Sequence, residues 1–471
     1  MTDICHRCVS EEFLSGLIQA SGIRTKCAYC SGQTRRCWSI DMLANHIERA
    51  FSEHYIRTAP DPDDWQLRML RDKESTYEWD REGSTTRDAL ELAAGISDQV
   101  IDDVIEILSE RYFDFDSAAS GEESEFDPDA HYIQTPVSST IWEENWISFE
   151  NKLRTEARYF SREAADHLTE IFGGIDMLRT RKDQPLVVEA GPGQTIEVLF
   201  RARVFQATDA LKEALCRPDK HLGPPPARAA SAGRMNARGI AVFYGATHRE
   251  AALAEVRPPV GSDVALAAFK IIRPLRLLDL SALGDAFDGG SIFDPGLAKR
   301  LGRVAFLQTL NNKLTRPVMP DDQEFDYLPT QAVSDFLATE NEPTLDGIIF
   351  RSTQAEKGEN IVLFHKASLV KSTVLPEGTS LIANTAYCDE DGCYPDYSVI
   401  EEIPNPEDQV TATTTQAHYQ KNLDTNEKPR PETLEVLPES LEVHHVNKVK
   451  VDCTAYPVDR SRRFRFNTVD F

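Results

Sequence analysis

Residues 195–370 alternate short apolar strands with short amphipathic helices, and this alternation constrains the fold more than any other feature. Runs of apolar, β-branched and aromatic residues have the lengths of strands, and segments of helical period lie between them. Such alternation predicts a mixed-sheet α/β (α+β) domain, which we place at residues 190–375. The strands are IEVLFRARVF, IAVFYGA, VALAAFKII, LRLLDL, GIIFRS and NIVLFHKASLV; the helices are HREAALAEV, LAKRLGRVAFLQTLNN and TQAVSDFLAT.

Four cysteines near the N-terminus form two Cys-x2-Cys pairs, Cys5 with Cys8 and Cys27 with Cys30. Each pair places two thiolates on one side of a tight turn, and two pairs supply the four ligands of a closed, tetrahedral zinc site. A closed site stabilises a small module rather than catalysing a reaction. We therefore predict a structural zinc module over residues 1–40. Unliganded cysteines and a redox pair are the alternatives.

The nine cysteines are odd in number and clustered. This suits metal binding in a reducing cytoplasm better than a disulfide framework. Cys37 is a spare, and Cys388 and Cys393 are interpreted as structural or incidental, with a second metal site less favoured. We see no signal peptide and no apolar run of about 18 residues that could span a membrane. A cytoplasmic protein without membrane contact is expected.

The net charge of −26 bears on the partners of the chain. A strongly negative protein repels polyphosphate backbones, so nucleic acid is not expected as its main partner. The charge is still compatible with a small basic pocket for a phosphate-bearing small molecule.

Residues 41–185 are expected to form a mainly helical region. Apolar residues recur at helical spacing within residues 88–112, and residues 147–172 read as a long helix that ends at Gly173. Between them, residues 114–130 contain seven acids and no base, which is typical of a solvated linker or exposed loop.

The C-terminal extension, residues 376–471, becomes rich in Pro, Thr and Glu, particularly over residues 403–440. It is expected to be partly flexible, with a final strand near LEVHHVNKVKVD. His444 and His445 are adjacent on that strand and would face opposite sides. They are therefore interpreted as structural rather than metal ligands.

Candidate ligand-binding residues begin on the first strand of the α/β segment. Arg201 and Arg203 are two apart, so they share a face and could form a fork for phosphate; a solvent-facing pair is the alternative. In the next loop, HLGPPPARAASAGRMNARG, Arg234 and Asn236 lie near glycines that allow a ligand to approach the backbone. Tyr244 follows, either as a stacking ring for a flat heterocycle or as a half-buried strand tyrosine.

A carboxylate follows this strand at a position of interest. Thr247 and Glu250 match a capping box, which predicts a helix beginning at Thr247. Glu255 lies about two turns further along, among small apolar residues and before two prolines. Position alone does not decide between a functional and a surface carboxylate.

The run GRMNARGIAVFYGATHREAALAEV resembles the signature of the RES family, which is named for its arginine, glutamate and serine. Upstream, FRAR resembles the family's opening strand. Downstream, DYLPTQAVSDFL resembles its tyrosine-x-x-threonine-glutamine helix, and LDGIIFRST resembles the strand that delivers its serine. The N-terminal cysteine segment resembles the zinc-bearing module found in front of RES and HEPN toxin domains.

This resemblance implies an ADP-ribosyltransferase-like fold and an NAD-degrading toxin that an antitoxin partner holds in check. The long N-terminal and C-terminal extensions and the Pro-rich loop depart from the family's pattern, which puts the mode of regulation in doubt rather than the chemistry. A phage-defence effector is another setting for the same chemistry. The resemblance assigns Arg234, Tyr244, Glu255 and Ser352 to catalysis, and the predicted substrate-binding residues are Arg201, Arg203, Asn236, Thr330 and Gln331.

The residue types suit cleavage of the nicotinamide–ribose bond of NAD. That bond breaks through an oxocarbenium-like transition state, so a carboxylate near the ribose, here Glu255, would stabilise the developing charge. Water as acceptor would make the protein a glycohydrolase, phosphate a phosphorolase, and a protein side chain an ADP-ribosyltransferase; NAD consumption is favoured. The other expected contacts are the pyrophosphate with Arg234 and Arg201 or Arg203, the nicotinamide with Tyr244, and the ribose or nicotinamide end with Ser352.

Two other functions compete with this one. Arg162 and His167 match the short Arg-x4–6-His motif of HEPN ribonucleases, although five residues apart on a helix is poor for one shared face. Alternatively, the RES-like part is degenerate and the chain is a non-catalytic interaction protein. The N-terminal part is expected to recognise a regulatory partner or trigger, and the protein could form a homo-oligomer.

Overall fold

The computed structural model describes residues 2–30, 34–158, 160–352, 354–355, 357–390, 392–404, 430–450 and 453–463. The chain divides into two compact units. Unit 1 comprises residues 1–188 and 278–344, and unit 2 comprises residues 189–277 and 345–471. Both units contain helices and β-sheets, which confirms the predicted α/β class. Within the described ranges, no helix has the length and apolar character that crossing a membrane requires.

Unit 1 begins with a three-stranded antiparallel sheet in which the third strand lies between the first two. The two helices that accompany it bury apolar residues four apart, Leu14 with Ile18 and Leu43 with Ile47, in one core. This spacing places each pair on one face of its helix. The elements are β1 (Asp3–Cys5), α1 (Glu12–Ser21), β2 (Ile23–Lys26), β3 (Thr34–Ser39) and α2 (Ile40–His54).

The rest of the N-terminal segment is mainly helical, as predicted, and includes a second small sheet. In this sheet one strand pairs with two others. The elements are β4 (Tyr55–Arg57), α3 (Asp64–Arg71), β5 (Ser84–Thr85), α4 (Thr86–Ala94), α5 (Asp98–Arg111), α6 (Phe115–Ser120), β6 (His131–Gln134), α7 (Thr140–Thr155) and α8 (Arg162–Phe172).

Two segments with predicted helical character are each divided between two helices. Residues 88–112 contribute to α4 and α5, because Gly95 adopts a left-handed φ of 58° that ends α4. Residues 147–172 contribute to α7 and α8, which are separated by residues 156–161. Gly173 caps the end of α8, as predicted.

The acidic segment 114–130 is not a solvated linker throughout. Arg81 donates two hydrogen bonds to the Glu123 carboxylate, at 2.8 and 2.7 Å, and Arg57 lies 3.5 Å from it. Phe126 is 3% exposed and Ala130 is fully buried. The linker prediction is therefore wrong for the second half of the segment, because arginines distant in sequence supply the counter-charges.

The remaining elements complete both units. In chain order they are β7 (Arg179–Thr180), β8 (Val187–Ala190), β9 (Val198–Phe205), α9 (Thr208–Cys216), α10 (Pro218–His221), β10 (Phe243–Ala246), α11 (Arg249–Glu255), β11 (Asp263–Ile271), β12 (Leu275–Asp279), β13 (Ala286–Phe287), α12 (Leu297–Thr315), α13 (Gln323–Asp326), α14 (Leu328–Thr339), β14 (Gly347–Arg351), β15 (Glu359–Leu363), β16 (Ser380–Asp389), β17 (Gly392–Glu402) and β18 (Leu434–His445).

Unit 2 is built on an eight-stranded sheet in the order β18-β11-β9-β10-β15-β14-β12-β8. Neighbouring strands from β18 to β14 pair antiparallel. β11 is buried along most of its length, which explains its nearly continuous apolar sequence. α11 packs Ala251 and Ala252 against Ala202, Ala246 and Leu266 of the sheet.

The predicted strands correspond to β9–β12, β14 and β15, and the predicted helices to α11, α12 and α14. One boundary differs. α11 begins at Arg249, and the Thr247 hydroxyl accepts a hydrogen bond from the Glu359 amide at 3.0 Å. The capping-box prediction is wrong, because this hydroxyl joins the helix entry to β15 instead.

The C-terminal part of unit 2 contains an antiparallel hairpin of β16 and β17. Its register sets Cys388 opposite Cys393, and the two form a disulfide. The disulfide agrees with the structural interpretation of these two residues and corrects the incidental and metal-binding alternatives. The predicted final strand is present as β18, which starts before the predicted segment. Most of residues 403–440, where flexibility is expected, lie outside the described residues.

Candidate active site and metal centre

A short strand–helix connection carries two predicted catalytic residues of unit 2. Tyr244 lies on β10, and Glu255 is the last residue of α11. The alanines of α11 let this helix lie close against the sheet. The carboxylate at its C-terminal end is exposed and reaches β15 and the chain that follows β14.

One oxygen of Glu255 receives two hydrogen bonds. Oε1 accepts from the Ser352 hydroxyl at 3.0 Å and from Nδ2 of Asn360 at 2.7 Å. The Ser352 hydroxyl accepts in turn from the backbone amides of Gln354 and Ala355, at 3.1 and 3.2 Å. Backbone amides thus hold the Ser352 hydroxyl in place, and the structure brings the predicted Glu255 and Ser352 together.

Asn360 is a site residue that the sequence analysis missed. It opposes Ala246 on β10 and Phe350 on β14, and it is 5% exposed. Its Oδ1 is buried and has no hydrogen-bond partner among the described residues. A single amide at the start of the apolar run NIVLF was the only available signal, because side-chain amides are uncommon in buried strands.

The hydroxyl of Tyr244 anchors the loop that precedes β10. It donates to Oδ1 of Asn236 at 2.9 Å and accepts from the Met235 amide at 3.1 Å. Asn236 is buried, and its Nδ2 donates to three carbonyls of its own loop. A Cβ on Gly233 would lie 2.7 Å from the tyrosine oxygen, so only glycine fits there. Asn236 therefore stabilises the conformation of the loop. Its role as a substrate ligand stays a prediction.

Arg234 lies in the turn between Gly233 and Asn236, whose backbones pair with each other. It is partly buried. The anchored loop thus holds the Arg234 backbone beside the residues that contact the Tyr244 hydroxyl, and a guanidinium at this position would suit the binding of a phosphate.

Arg201 and Arg203 share a face of β9, as predicted. Arg201 donates to the Tyr244 carbonyl at 2.9 Å and lies over the Phe243 ring, and Arg203 donates to the His221 carbonyl at 2.7 Å. Burial, with the nearby charge of Arg203, lowers the pKa of Arg201 to about 10. Both arginines alternate along β9 with Ala202, which packs under α11. They therefore project from the opposite face of the sheet, and their described contacts do not join them to the Glu255 cluster.

Thr330 and Gln331 lie on α14, in unit 1. Thr330 is buried, and its hydroxyl donates to the Tyr327 carbonyl at 3.0 Å. Their role in substrate binding stays a prediction.

The four N-terminal cysteines converge on one point. Their sulfur atoms lie within 4.8 Å of one another, and Cys5–Cys8, Cys5–Cys30 and Cys8–Cys27 are separated by 3.7, 3.8 and 3.7 Å. A tetrahedral zinc–thiolate site with bonds of about 2.3 Å places its sulfurs about 3.8 Å apart. The cluster therefore fits a zinc ion. Arg35 reaches Cys5 and Cys30 and offsets part of the thiolate charge.

Arg162 and His167 both lie on α8. Arg162 is exposed at the first position of the helix. His167 packs between Trp146 and Phe149, and burial lowers the pKa of its imidazole. The imidazole Nε2 has no hydrogen-bond partner among the described residues, and the His167 side chain lines a cavity of about 310 Å³ in unit 1. Among the described residues, no hydrogen bond or ion pair joins Arg162 to His167.

Comparison with known proteins identifies one domain of the chain. Residues 199–381 match the family model of the RES domain, which confirms the resemblance noted in the sequence. The RES family is associated with NAD-related toxin function. The match includes the Glu255 cluster and the Arg234 loop. Neither the curated proteins nor the solved structures contain a match to the chain.

Proposed function

We propose that the RES domain cleaves the nicotinamide–ribose bond of NAD and that Glu255 stabilises the charge that develops on the ribose. The observation that carries this proposal is the convergence of Ser352 and Asn360 on Oε1 of Glu255. A carboxylate held in advance by two donors loses little energy to reorganisation when charge develops beside it. The described hydrogen bonds of Glu255 all involve Oε1, which leaves Oε2 for a ribose hydroxyl.

The reaction needs little acid catalysis. When the bond between C1′ and the nicotinamide nitrogen breaks, its electron pair leaves with nicotinamide, which changes from a cation to a neutral molecule. The ribose becomes an oxocarbenium ion, which an acceptor then captures. Water or phosphate as acceptor gives NAD consumption, and a protein side chain gives ADP-ribosyl transfer.

The other residues would hold NAD for this step. The loop anchored by Tyr244 supports Arg234 as the pyrophosphate ligand, and the ring of Tyr244 is the proposed surface for nicotinamide. Arg201 donates to the Tyr244 carbonyl and would support the strand that carries Tyr244, and its contact with the pyrophosphate stays a prediction. By depleting NAD, the protein would act as a toxin that a partner restrains.

The test is release of nicotinamide from NAD by the purified full-length protein, with and without phosphate. Glu255→Gln should lower the rate by about 100-fold or more. Glu250→Gln is the matched control, because Glu250 is exposed on the same helix and makes no described contact. Phosphate dependence would identify the acceptor. Full activity in Glu255→Gln would refute the assignment, and transfer of labelled ADP-ribose to lysate proteins would instead indicate a transferase.

A further inference from the structure

We propose that unit 1 contains a second ligand site, a cavity that binds a small organic cation of the amine or guanidine class. The cavity has a volume of about 410 Å³ and lies where α2, β4 and residues 112–132 meet. Small-molecule sites typically occupy roughly 300–1,000 Å³. Its lining residues belong neither to the RES match nor to the zinc ligands, so the proposal is independent of the NAD site.

Five of the ten residues that line the cavity are aromatic. Phe51 stacks on Tyr55 with their ring centroids 4.3 Å apart, and Phe126 lies 5.8 Å from both Tyr112 and Tyr132. The electron-rich face of an aromatic ring attracts a cation, more strongly where water is excluded. A positively charged group with an apolar stem would suit this wall.

The polar part of the lining offers acceptors and few donors. The Tyr112 hydroxyl donates to Glu48 at 2.9 Å, and the Tyr132 hydroxyl donates to Glu125 at 2.8 Å, so both hydroxyl protons are already engaged. The Ser52 hydroxyl likewise donates to a backbone carbonyl. The two carboxylates retain lone pairs, because each can accept about four hydrogen bonds. A ligand that supplies N–H groups would match these acceptors.

Charge within the lining also favours a cation. Arg57 is the basic residue among those that line the cavity, and it is engaged by Glu123 at 3.5 Å and by Glu125 at 3.4 Å. Glu48 is paired with Arg111, which does not line the cavity. The lining thus presents two carboxylates, each paired with an arginine, and one guanidinium that is itself engaged, so an anionic ligand would find no uncommitted guanidinium among the lining residues.

Calorimetric titration of the full-length, zinc-loaded protein tests the proposal. We expect saturable binding of 1,5-diaminopentane and agmatine. 1,5-Pentanediol has the same length but no charge, and we expect it to bind more weakly by about tenfold or more. A free amine and a lysine side chain present the same chemistry. Tighter binding of N-acetyl-lysine methylamide than of 1,5-diaminopentane would identify a peptide as the source.

Variants locate the binding. Glu48→Gln and Glu125→Gln should each weaken binding of 1,5-diaminopentane about tenfold or more, because an amide replaces a charged acceptor. Glu53→Gln, on α2 but outside the cavity, should bind like the unmodified protein. Thermal unfolding confirms that each variant folds. Equal binding of the diol, undiminished binding in Glu48→Gln and Glu125→Gln, tighter binding of adenosine than of either amine, or no saturable binding would each overturn the proposal.

Discussion

Nδ2 of Asn360 lies 2.7 Å from Oε1 of Glu255, although 105 residues separate the two in sequence. The amide is buried and its own Oδ1 has no described partner, so its described hydrogen bond is the one to this carboxylate. We infer that Asn360 is a positioning residue, which acts on the reaction by holding the Glu255 carboxylate in place.

Replacement of the Asn360 amide should affect the rate of nicotinamide release more than the stability of the fold. Asn360→Leu keeps the number and branching of the side-chain heavy atoms and removes a buried, unsatisfied oxygen, so the free energy of unfolding should change little. Nicotinamide release should fall about tenfold or more, because the Glu255 carboxylate loses a donor. Steady-state kinetics and thermal unfolding measure both effects, and Asn384→Leu on β16 is the control. Unchanged kinetics in Asn360→Leu would contradict the role.

The two donors to Glu255 should act as a unit. We expect Ser352→Ala alone to lower nicotinamide release about tenfold, and the double variant with Asn360→Leu to lose less than the product of the two single factors. The physical reason is that both side chains orient the same oxygen. A double-mutant cycle on kcat measures the coupling, and strictly multiplicative losses would show that the donors act independently.

The Tyr244 hydroxyl should affect the binding of NAD more than the rate at which NAD is cleaved. Tyr244→Phe keeps the ring but removes the hydrogen bonds to Asn236 and Met235 that anchor the Arg234 loop. We expect KM for NAD to rise roughly 2- to 10-fold with kcat little changed. Tyr244→Ala should also lower kcat, since the ring is lost. A fall in kcat alone in Tyr244→Phe would instead place the hydroxyl in the chemical step.

The cysteine cluster should bind about one zinc ion per chain, with a structural effect. Cys8→Ser should abolish zinc binding and lower the melting temperature, because metal-binding free energy contributes to folding. Cys37→Ala should retain zinc, since the Cys37 thiol lies near the Thr25 carbonyl and is outside the four-sulfur cluster. Elemental analysis and thermal unfolding give the two readouts. Full zinc content in Cys8→Ser would disprove the ligand set.

The ion pair of Arg81 and Glu123 should make unit 1 sensitive to acid. The hydrogen bonds and charge of Arg81, assisted by Arg57, lower the pKa of Glu123 below its ordinary value of 4.5. A lowered folded-state pKa contributes stability above pH 4.5, and this contribution is lost as pH falls through the folded value. Glu123→Gln should therefore cost about 1–3 kcal/mol at pH 7 and progressively less in acid. Chemical unfolding at several pH values measures this, and a pH-independent difference would contradict it.

Much of the RES domain was predictable from local patterns. Strands and helices were located because the period of apolar residues within one element shows which face is buried. The two Cys-x2-Cys pairs were equally local, since each places its thiolates on one turn. Glu255 and Ser352 were identified by their motifs, and the structure brings them within 3.0 Å of each other.

Features that depend on distant partners were not predictable. The acidic segment is held by Arg81, and the disulfide follows from the hairpin register that opposes Cys388 and Cys393.

The sequence by itself determined the elements of the RES domain, the two Cys-x2-Cys pairs and the motif residues of the site, because each depends on spacing within a short segment. Only the tertiary structure decided that Asn360 supports Glu255 and that Arg201 and Arg203 project from the other face of the sheet. The physical reason is strand register: a shift of one residue moves every side chain of a strand to the opposite face, and register is set by pairing with strands far away in the sequence.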